Sequence, residues 1–295
     1  MTEQELFSMV GIRAEHRTPA KQVRCARDFP WISVILLSII VFCCLFAEVI
    51  MTKDPSYLDL KNYNAAPNSE FLFGTDSLGR DIFSGIWYGG RISITIGFFA
   101  TLISTVIAVI YGSVSGIAPV WLDTLMMRFT EIFLSVPGLL LILFLQAILG
   151  EANVATLSIV IGVTSWASIA KIIRTEVRQI RNSEYVVASR CMGGKFFHIL
   201  RKHLAPNFIA SIMFMVVMNV RGAIGSESTL SFMGMGLPLE VISWGSMLSL
   251  SEKALLSGSW WIILIPGTFL VTLLMCLTNI GNHLRKSTNR KESNL

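Results

Sequence analysis

The chain has 295 residues, 53% hydrophobic and 15% charged, with a formal net charge of +5 and a mean hydropathy of +0.63. Such a balance excludes an ordinary water-soluble domain. The basic residues sit between and beside apolar runs, as a membrane topology requires, and this excludes nucleic acid as the reason for the positive charge.

The first thirty residues form a polar segment with five basic side chains, Arg13, Arg17, Lys21, Arg24 and Arg27. The run Trp31–Ile50 follows, and 13 of its 20 residues are Ile, Leu, Val or Phe. Twenty apolar residues are enough to cross about 30 Å of hydrocarbon as a helix. At about −0.3 to −0.6 kcal/mol each, those thirteen favour insertion by roughly 4 to 8 kcal/mol. Glu48 lies near the end of the run, where its cost is smallest. No small-residue cleavage site follows, so the run reads as an anchor, a first transmembrane helix over 31–51.

Residues 52–90 carry three basic and five acidic residues and read as a loop. Within it, 73–91 is dense in Gly, Asp and Arg. Gly74 and Gly79 suit tight turns, and Asp76, Arg80 and Asp81 are close enough to pair. The stretch reads as an ordered approach to the second span, with contact to a binding protein or to substrate as alternatives. Further apolar runs predict spans near 92–115, 132–150, 153–171, 207–224 and 258–281, which makes six. Arg91 and Arg128 fall at span ends and read as interfacial anchors.

The loop 171–206 has eight basic residues, and the tail from Arg285 has four. With six spans, the amino terminus, this loop and the tail share one side, which the positive-inside rule makes cytoplasmic. The predicted organisation is therefore a cytoplasmic segment 1–30, an extracellular loop 52–90, a core of five helices over 91–283 and a cytoplasmic tail 284–295.

The segment Glu184–Asn207, EYVVASRCMGGKFFHILRKHLAPN, is too regular for a linker. Tyr185, Ala188 and Met192 give an apolar stripe at i, i+3 and i+7, and Phe196, Ile199 and Leu200 begin another. Gly193 suits a left-handed residue that ends the first helix, and Pro206 marks the start of the next. Arg190, Lys195 and Arg201 lie off the stripes, facing water or an acidic partner. The residues alone leave two readings open: a docking surface for a cytoplasmic protein, or an amphipathic helix on anionic lipid.

Deeper in the chain, Arg221 and Glu227 are the ionisable residues nearest membrane depth, on either side of Gly222, Gly225 and Ser226. An ionisable residue there is a functional candidate by default. The two glycines and the serine read as a break that lets the pair meet, at an interface with a partner subunit or in contact with substrate. Met213, Met215 and Met218 read as packing.

Several chemistries find no support. Gly194-Lys195 is followed by Phe196, with Ser189 where a first glycine belongs, so no phosphate-cradling loop is present. The five cysteines lie in or beside apolar segments without metal spacing, and the four histidines are scattered. No internal repeat is evident.

Three ordered stretches carry a family resemblance over roughly residues 70–287. Glu184–Asn207 resembles the cytoplasmic loop of ABC importer permeases in the dipeptide, oligopeptide and nickel subfamily, which tends to read EYVEAARxxGxSxxxIxxRHxLPN. Glu184, Tyr185, Val186, Ala188, Arg190, Gly193, Ile199, His203, Pro206 and Asn207 are in register, whereas Val187 replaces the loop glutamate and Ser189 an alanine. Phe73–Ile94 resembles the subfamily's signature before the second span. Glu227–Leu248 is similar to its ExxLSFLGLGxxPxxxSWGxML segment. Pro266-Gly267 and Asn279–Arg285 also fit, with Asn282 in place of a usual aspartate.

The resemblance implies an all-α integral membrane protein of six transmembrane helices with the type I ABC importer permease fold. It implies a non-catalytic subunit that imports di- or oligopeptides, or a nickel or other metal chelate, through the cell membrane. It implies a homologous permease subunit, two cytoplasmic ATPase subunits holding ATP and magnesium, and an extracellular substrate-binding protein. It implies no cofactor in this chain itself. Glu184, Tyr185, Ala188, Arg190, Met192, Gly193, Lys195, His203 and Pro206 would form the ATPase-coupling surface, with Arg221 and Glu227 on the pathway or at the interface. A self-sufficient channel or secondary transporter is the alternative from another class; it leaves the 184–207 loop unexplained.

Overall fold

A computed structural model describes residues 29–150, 152–181, 205–251, 254 and 258–292. It is built from helices: α1 Trp31–Leu45, α2 Ala47–Ile50, α3 Ile82–Ile117, α4 Val120–Ser135, α5 Gly138–Leu149, α6 Val154–Arg181, α7 Ala205–Phe232, α8 Trp244–Ser249 and α9 Trp261–Glu292. Leu60–Asn62 adds a 3-10 turn, and Thr75 and Asp81 form an isolated antiparallel bridge. Among the described residues, α3, α6 and α9 are each long and apolar enough to cross a membrane, and α4 with α5 adds a fourth if that bent pair is one span.

The helix directions follow from pairs of close residues. Gly162 lies against Ala100 and Ile103, Gly112 against Ala170 and Ile173, and Gly116 against Val177, so α3 and α6 run parallel. A β-carbon added to Gly112 would stand 2.6 Å from the Ala170 carbonyl oxygen. Small residues at this crossing let the backbones approach as closely as membrane helices do. The α7 helix is antiparallel to α3: Glu227 meets Ser93, and Asn219 donates to Ser104. The α1 helix reaches α9 through Ser33 and Asn279, and Phe29 lies 5.2 Å from the His283 ring.

These pairings sort the connections to two ends of the bundle. The loops 51–81 and 233–260 share one end, called here the loop-rich end. The 117–120 turn, the end of α6 and the start of α7 share the other, the arginine-rich end.

Several segments depart from the sequence-based expectation. The run 31–51 is two helices, α1 and α2, divided at Phe46, and α6 continues to Arg181, so residues 171–181 of the expected 171–206 loop are helical. The second span is not 92–115 but α3, which begins ten residues earlier at Ile82. Asp81 caps it, accepting from the Ser84 amide at 3.0 Å and the Ser84 hydroxyl at 2.6 Å. The 52–90 loop therefore ends at Asp81. Gly85, Gly89 and Gly90, which fall in the expected 52–90 loop, are helical and leave room for neighbours. A β-carbon on Gly90 would stand 2.6 Å from both Cys44 Sγ and the Trp244 ring.

The expected single helix over 132–150 is two helices, α4 and α5, bent by 88°. Val136 is extended because proline at 137 disfavours the helical region for the residue before it. Finally, the break expected at Gly222–Ser226 is absent, and α7 runs through it. Pro266 likewise sits inside α9; prolines are tolerated in membrane helices.

Many apolar side chains on the outer faces are exposed, including Phe98, Leu102, Val106 and Ile110 on α3 and Leu140, Phe144 and Ile148 on α5. The inner faces form three clusters, one around Trp244, one around Trp166 and one around Leu157. Cys44 and Cys276 are buried, Cys43 is half-buried, and all three are free thiols.

Candidate functional site

Beyond the α3 cap Asp81, two buried carboxylates bond serines of α3, one toward each end of the helix. At the loop-rich end, Glu227 is 0% exposed. The hydroxyls of Ser243 (2.7 Å), Ser93 (2.9 Å), Ser231 (3.0 Å) and Ser228 (3.3 Å) surround it. No cation reaches it among the described residues. Four hydroxyl donors replace the water a carboxylate loses on burial, the condition for keeping such a group inside a protein.

The knot has a structural result. Ser243 also opens α8 with a capping box to Ser246. Trp244, fully buried, donates its ring N–H to the Ile86 carbonyl at 2.9 Å. Glu227 thereby ties α7, α3 and the returning 233–249 segment into one body.

At the arginine-rich end, Asp123 on α4 is 3% exposed. Arg174 on α6 grips it with two parallel bonds, Nε to Oδ1 at 2.5 Å and Nη2 to Oδ2 at 2.6 Å. Arg178, one turn further, donates to Oδ2 at 2.7 Å, and the Ser115 hydroxyl of α3 donates to Oδ1 at 2.7 Å. Arg181 donates to the Ile117 carbonyl at 2.8 Å. The forked geometry is the strong form of an arginine–carboxylate pair. Four bonds from two helices thus fasten α6 to α4 and α3 within the last two described turns before the 182–204 segment. An open cavity of about 290 Å3, lined by Gly116, Ala118, Pro119, Val120, Arg178 and Arg181, lies beside this clasp.

Sequence reasoning missed the clasp. Asp123 is a lone acid 51 residues from Arg174, and no periodicity links them. One cue existed: Arg174, Arg178 and Arg181 recur at helical spacing, so three cations share one side of α6 and call for a common partner.

The expected site residues fare differently. Glu184, Tyr185, Ala188, Arg190, Met192, Gly193, Lys195 and His203 lie outside the described residues. Pro206 falls in the first turn of α7, the helix-start position its sequence suggested. Arg221 and Glu227 are not brought together. In an unbroken helix six residues span about 600°, leaving the two side chains about 120° apart. Glu227 turns into the bundle, while Arg221 is exposed on the face that carries Gly222, Gly225 and Thr229. Nothing lies within 4 Å of a β-carbon placed on either glycine, so this face is open.

The 51–81 loop is ordered by hydrogen bonds rather than ion pairing among Asp76, Arg80 and Asp81. Asp76 accepts from the amides of Leu78 (2.8 Å) and Arg80 (2.9 Å). Burial pushes its carboxyl above the usual range, against those two donors. Arg80 donates to the Leu239 carbonyl at 2.8 Å and Trp261 to the Thr75 carbonyl at 3.2 Å, which joins the loop to the 233–260 region. Gly74 and Gly79 take φ of 77° and 74°, the left-handed turns their positions suggested. Arg91 pairs with Glu48 at 2.8 Å and Arg128 with Glu131 at 3.0 Å, both near the surface.

No group of three or more His, Cys, Asp or Glu suited to a metal ion occurs among the described residues.

Comparison with known proteins places this geometry. Residues 108–289 match the family described as binding-protein-dependent transport system inner membrane component. The dipeptide transport system permease protein DppC of Bacillus subtilis is 38% identical over 232 residues, 79% of this chain and 72% of that protein. The oligopeptide transport system permease protein OppC of the same organism is 36% identical over 260 residues, 88% and 85% of the two chains. Among solved structures, the inward-facing MetNI methionine ABC transporter superposes with a TM-score of 0.56. It covers 69% of this chain and 96% of the other at 17% identity, a likeness of fold.

Proposed function

This chain belongs to the family of binding-protein-dependent transport system inner membrane components, and we propose that its task is to form half of the pathway by which an ABC importer brings di- or oligopeptides into the cell. The single observation that carries the peptide reading is the 36–38% identity, over more than three quarters of the chain, to permeases named for dipeptides and oligopeptides. The architecture supports it. A long helix, α6, enters the 182–204 segment at one end of the bundle and α7 leaves it there, so any movement of that segment acts directly on two helices of the core.

The arginine-rich end faces the cytoplasm on this reading, and six crossings connect it to the opposite side. ATP is hydrolysed on two separate ATPase subunits. One of them docks on the 184–203 surface, where Tyr185, Ala188 and Met192 fill a groove and Arg190 and Lys195 rim it. Glu184, Gly193, His203 and Pro206 shape that surface. Burying Tyr185 and Met192 contributes on the order of 1.5 to 3 kcal/mol each. A homologous permease lies against the open face of α7, with Arg221 at the pathway or the interface, and a binding protein delivers substrate at the loop-rich end. Glu227, enclosed within the subunit, acts there through shape alone.

ATP-driven uptake tests the proposal. The complex of both permeases, two ATPases and the binding protein is reconstituted in vesicles and offered radiolabelled di- and oligopeptides or a nickel chelate. Peptide accumulation that requires ATP and the binding protein supports the reading. Accumulation of the chelate alone transfers it to metal import, and accumulation by this chain without ATPases makes it a self-sufficient transporter. Tyr185→Asp with Met192→Asp should abolish co-purification of the ATPase. An undiminished yield of ATPase places its docking surface elsewhere.

A further inference from the structure

We infer that Asp123 is a positioning residue for energy coupling: with Arg174, Arg178 and Ser115 it forms the clasp that makes α3, α4 and α6 move as one rigid unit when the 182–204 segment is displaced. The inference rests on the permease reading above and adds to it the device by which the segment's motion enters the bundle.

The argument begins with levers. The α6 helix has 28 residues, and its last described residue is Arg181. A force applied beyond Arg181 bends or rotates that helix alone unless something ties its end to its neighbours. Packing provides part of the tie, since Gly112 and Gly116 of α3 sit against Ala170, Ile173 and Val177. Packed apolar surfaces between helices slide at small cost, however, because they have no directional bonds. Hydrogen bonds with fixed geometry do not slide. The Arg174–Asp123 fork has that property, and it joins α6 to α4 across 51 positions of sequence. Ser115 extends the same carboxylate to α3, so one acidic group bonds three helices.

Its position fits this role better than simple stabilisation. The α4 helix runs back along α3 and α6: Asp123 bonds Ser115 and Arg174, the Met126 carbonyl accepts from the Tyr111 hydroxyl, and Phe133 lies 5.5 Å from the Trp166 ring. A helix packed along both and bonded near their ends through Asp123 carries displacement of the α6 end to the α3 end. A clasp half-open to water at Arg178, beside a 290 Å3 cavity, adds less to stability than a sealed apolar contact of the same size. What it provides is fixed geometry.

The test uses the complete complex of both permeases, two ATPases and the binding protein. The quantity read is substrate molecules imported per ATP hydrolysed, in vesicles, with assembly verified by co-purification of all components. For Asp123→Asn we expect ATP hydrolysis at near wild-type rate and a fall of about tenfold in the import ratio, within the roughly 5- to 150-fold range of an ordinary coupling free energy. Asp123→Glu, which keeps the charge, recovers part of the ratio. A purely stabilising residue would lower yield or the melting temperature and leave the ratio of surviving complexes unchanged, which overturns the inference.

If Asp123→Asn does not assemble, Arg174→Lys replaces it. It retains the charge but loses the fork, and an unchanged ratio there is equally fatal. A second readout does not depend on substrate. Spin labels at Val120 on α4 and Thr175 on α6, both exposed, should keep one separation in nucleotide-free and ATP-trapped complexes of the wild type and acquire a second in Asp123→Asn. A wild-type separation that changes between the two states overturns the clasp. Failure of the wild-type complex to import any peptide would count against the transport reading, and the spin-label result would still decide the clasp.

Discussion

Glu227 and Asp123 are both buried acids bonded to a serine of α3, Ser93 at one end and Ser115, 22 residues later, at the other. Their surroundings are opposite. Glu227 has four hydroxyls, no cation among the described residues and no exposure; Asp123 has two arginines that themselves reach solvent. Hydroxyls from three elements hold a carboxylate in a fixed, desolvated place, which suits an end of the bundle where the chain must fold back and stay. A forked arginine pair at a wet boundary fixes the geometry between helices without sealing them from water, which suits an end that has to transmit movement. The contrast assigns rigidity by construction to the loop-rich end and mechanical connection to the arginine-rich one.

The largest effect that would break this contrast comes from the outer knot. Glu227→Ala leaves four buried hydroxyls without their acceptor and opens a void, and should cost about 3 kcal/mol or more. Thermal unfolding of the purified complex should show a clear drop in melting temperature, with much of the protein failing to accumulate in membranes. A stable Glu227→Ala variant would mean that the serines find other partners and the knot is incidental.

Asp123→Ala should cost less, about 1.5 to 3 kcal/mol, because Arg174 and Arg178 can turn to water once their partner is gone. The same melting experiment on both variants sharpens the comparison: equal losses would remove the distinction between a sealed and an open carboxylate. Smallest of all is the exposed Lys53–Glu70 pair, 2.7 Å apart. Lys53→Met should shift stability by less than about 1 kcal/mol, and a larger shift would mark the 51–81 loop as a third anchored region.

The sequence showed the apolar runs, the asymmetry of lysine and arginine, and the glycines at 74 and 79, because each is a local signal. Proline at 137 was an equally local signal for the α4–α5 bend, outweighed by the length of the apolar run that contains it. The Gly222–Ser226 stretch misled in the other direction, since glycine inside a membrane helix is tolerated where neighbours need space or none presses. Asp123 was illegible for a different reason. Its meaning depends on a partner 51 residues away, and a single acid in an amphipathic stretch ordinarily signifies a solvated face. Glu227 was visible as an unusual residue, but its four serines come from three separate elements that only the fold assembles.

The assignment of the coupling end requires the two ends to lie on opposite sides of the membrane, with the 171–206 stretch, the last turns of α6 included, and its eight basic residues inside and the 52–81 loop outside. Single cysteines at Asn68 and at Ser183, in a chain whose five native cysteines are replaced by serine, test this in intact cells with a membrane-impermeant thiol reagent. The account predicts labelling at 68 in intact cells and labelling at 183 only after permeabilisation. Labelling at 183 but not at 68 in intact cells would invert the orientation and contradict the assignment of the coupling end.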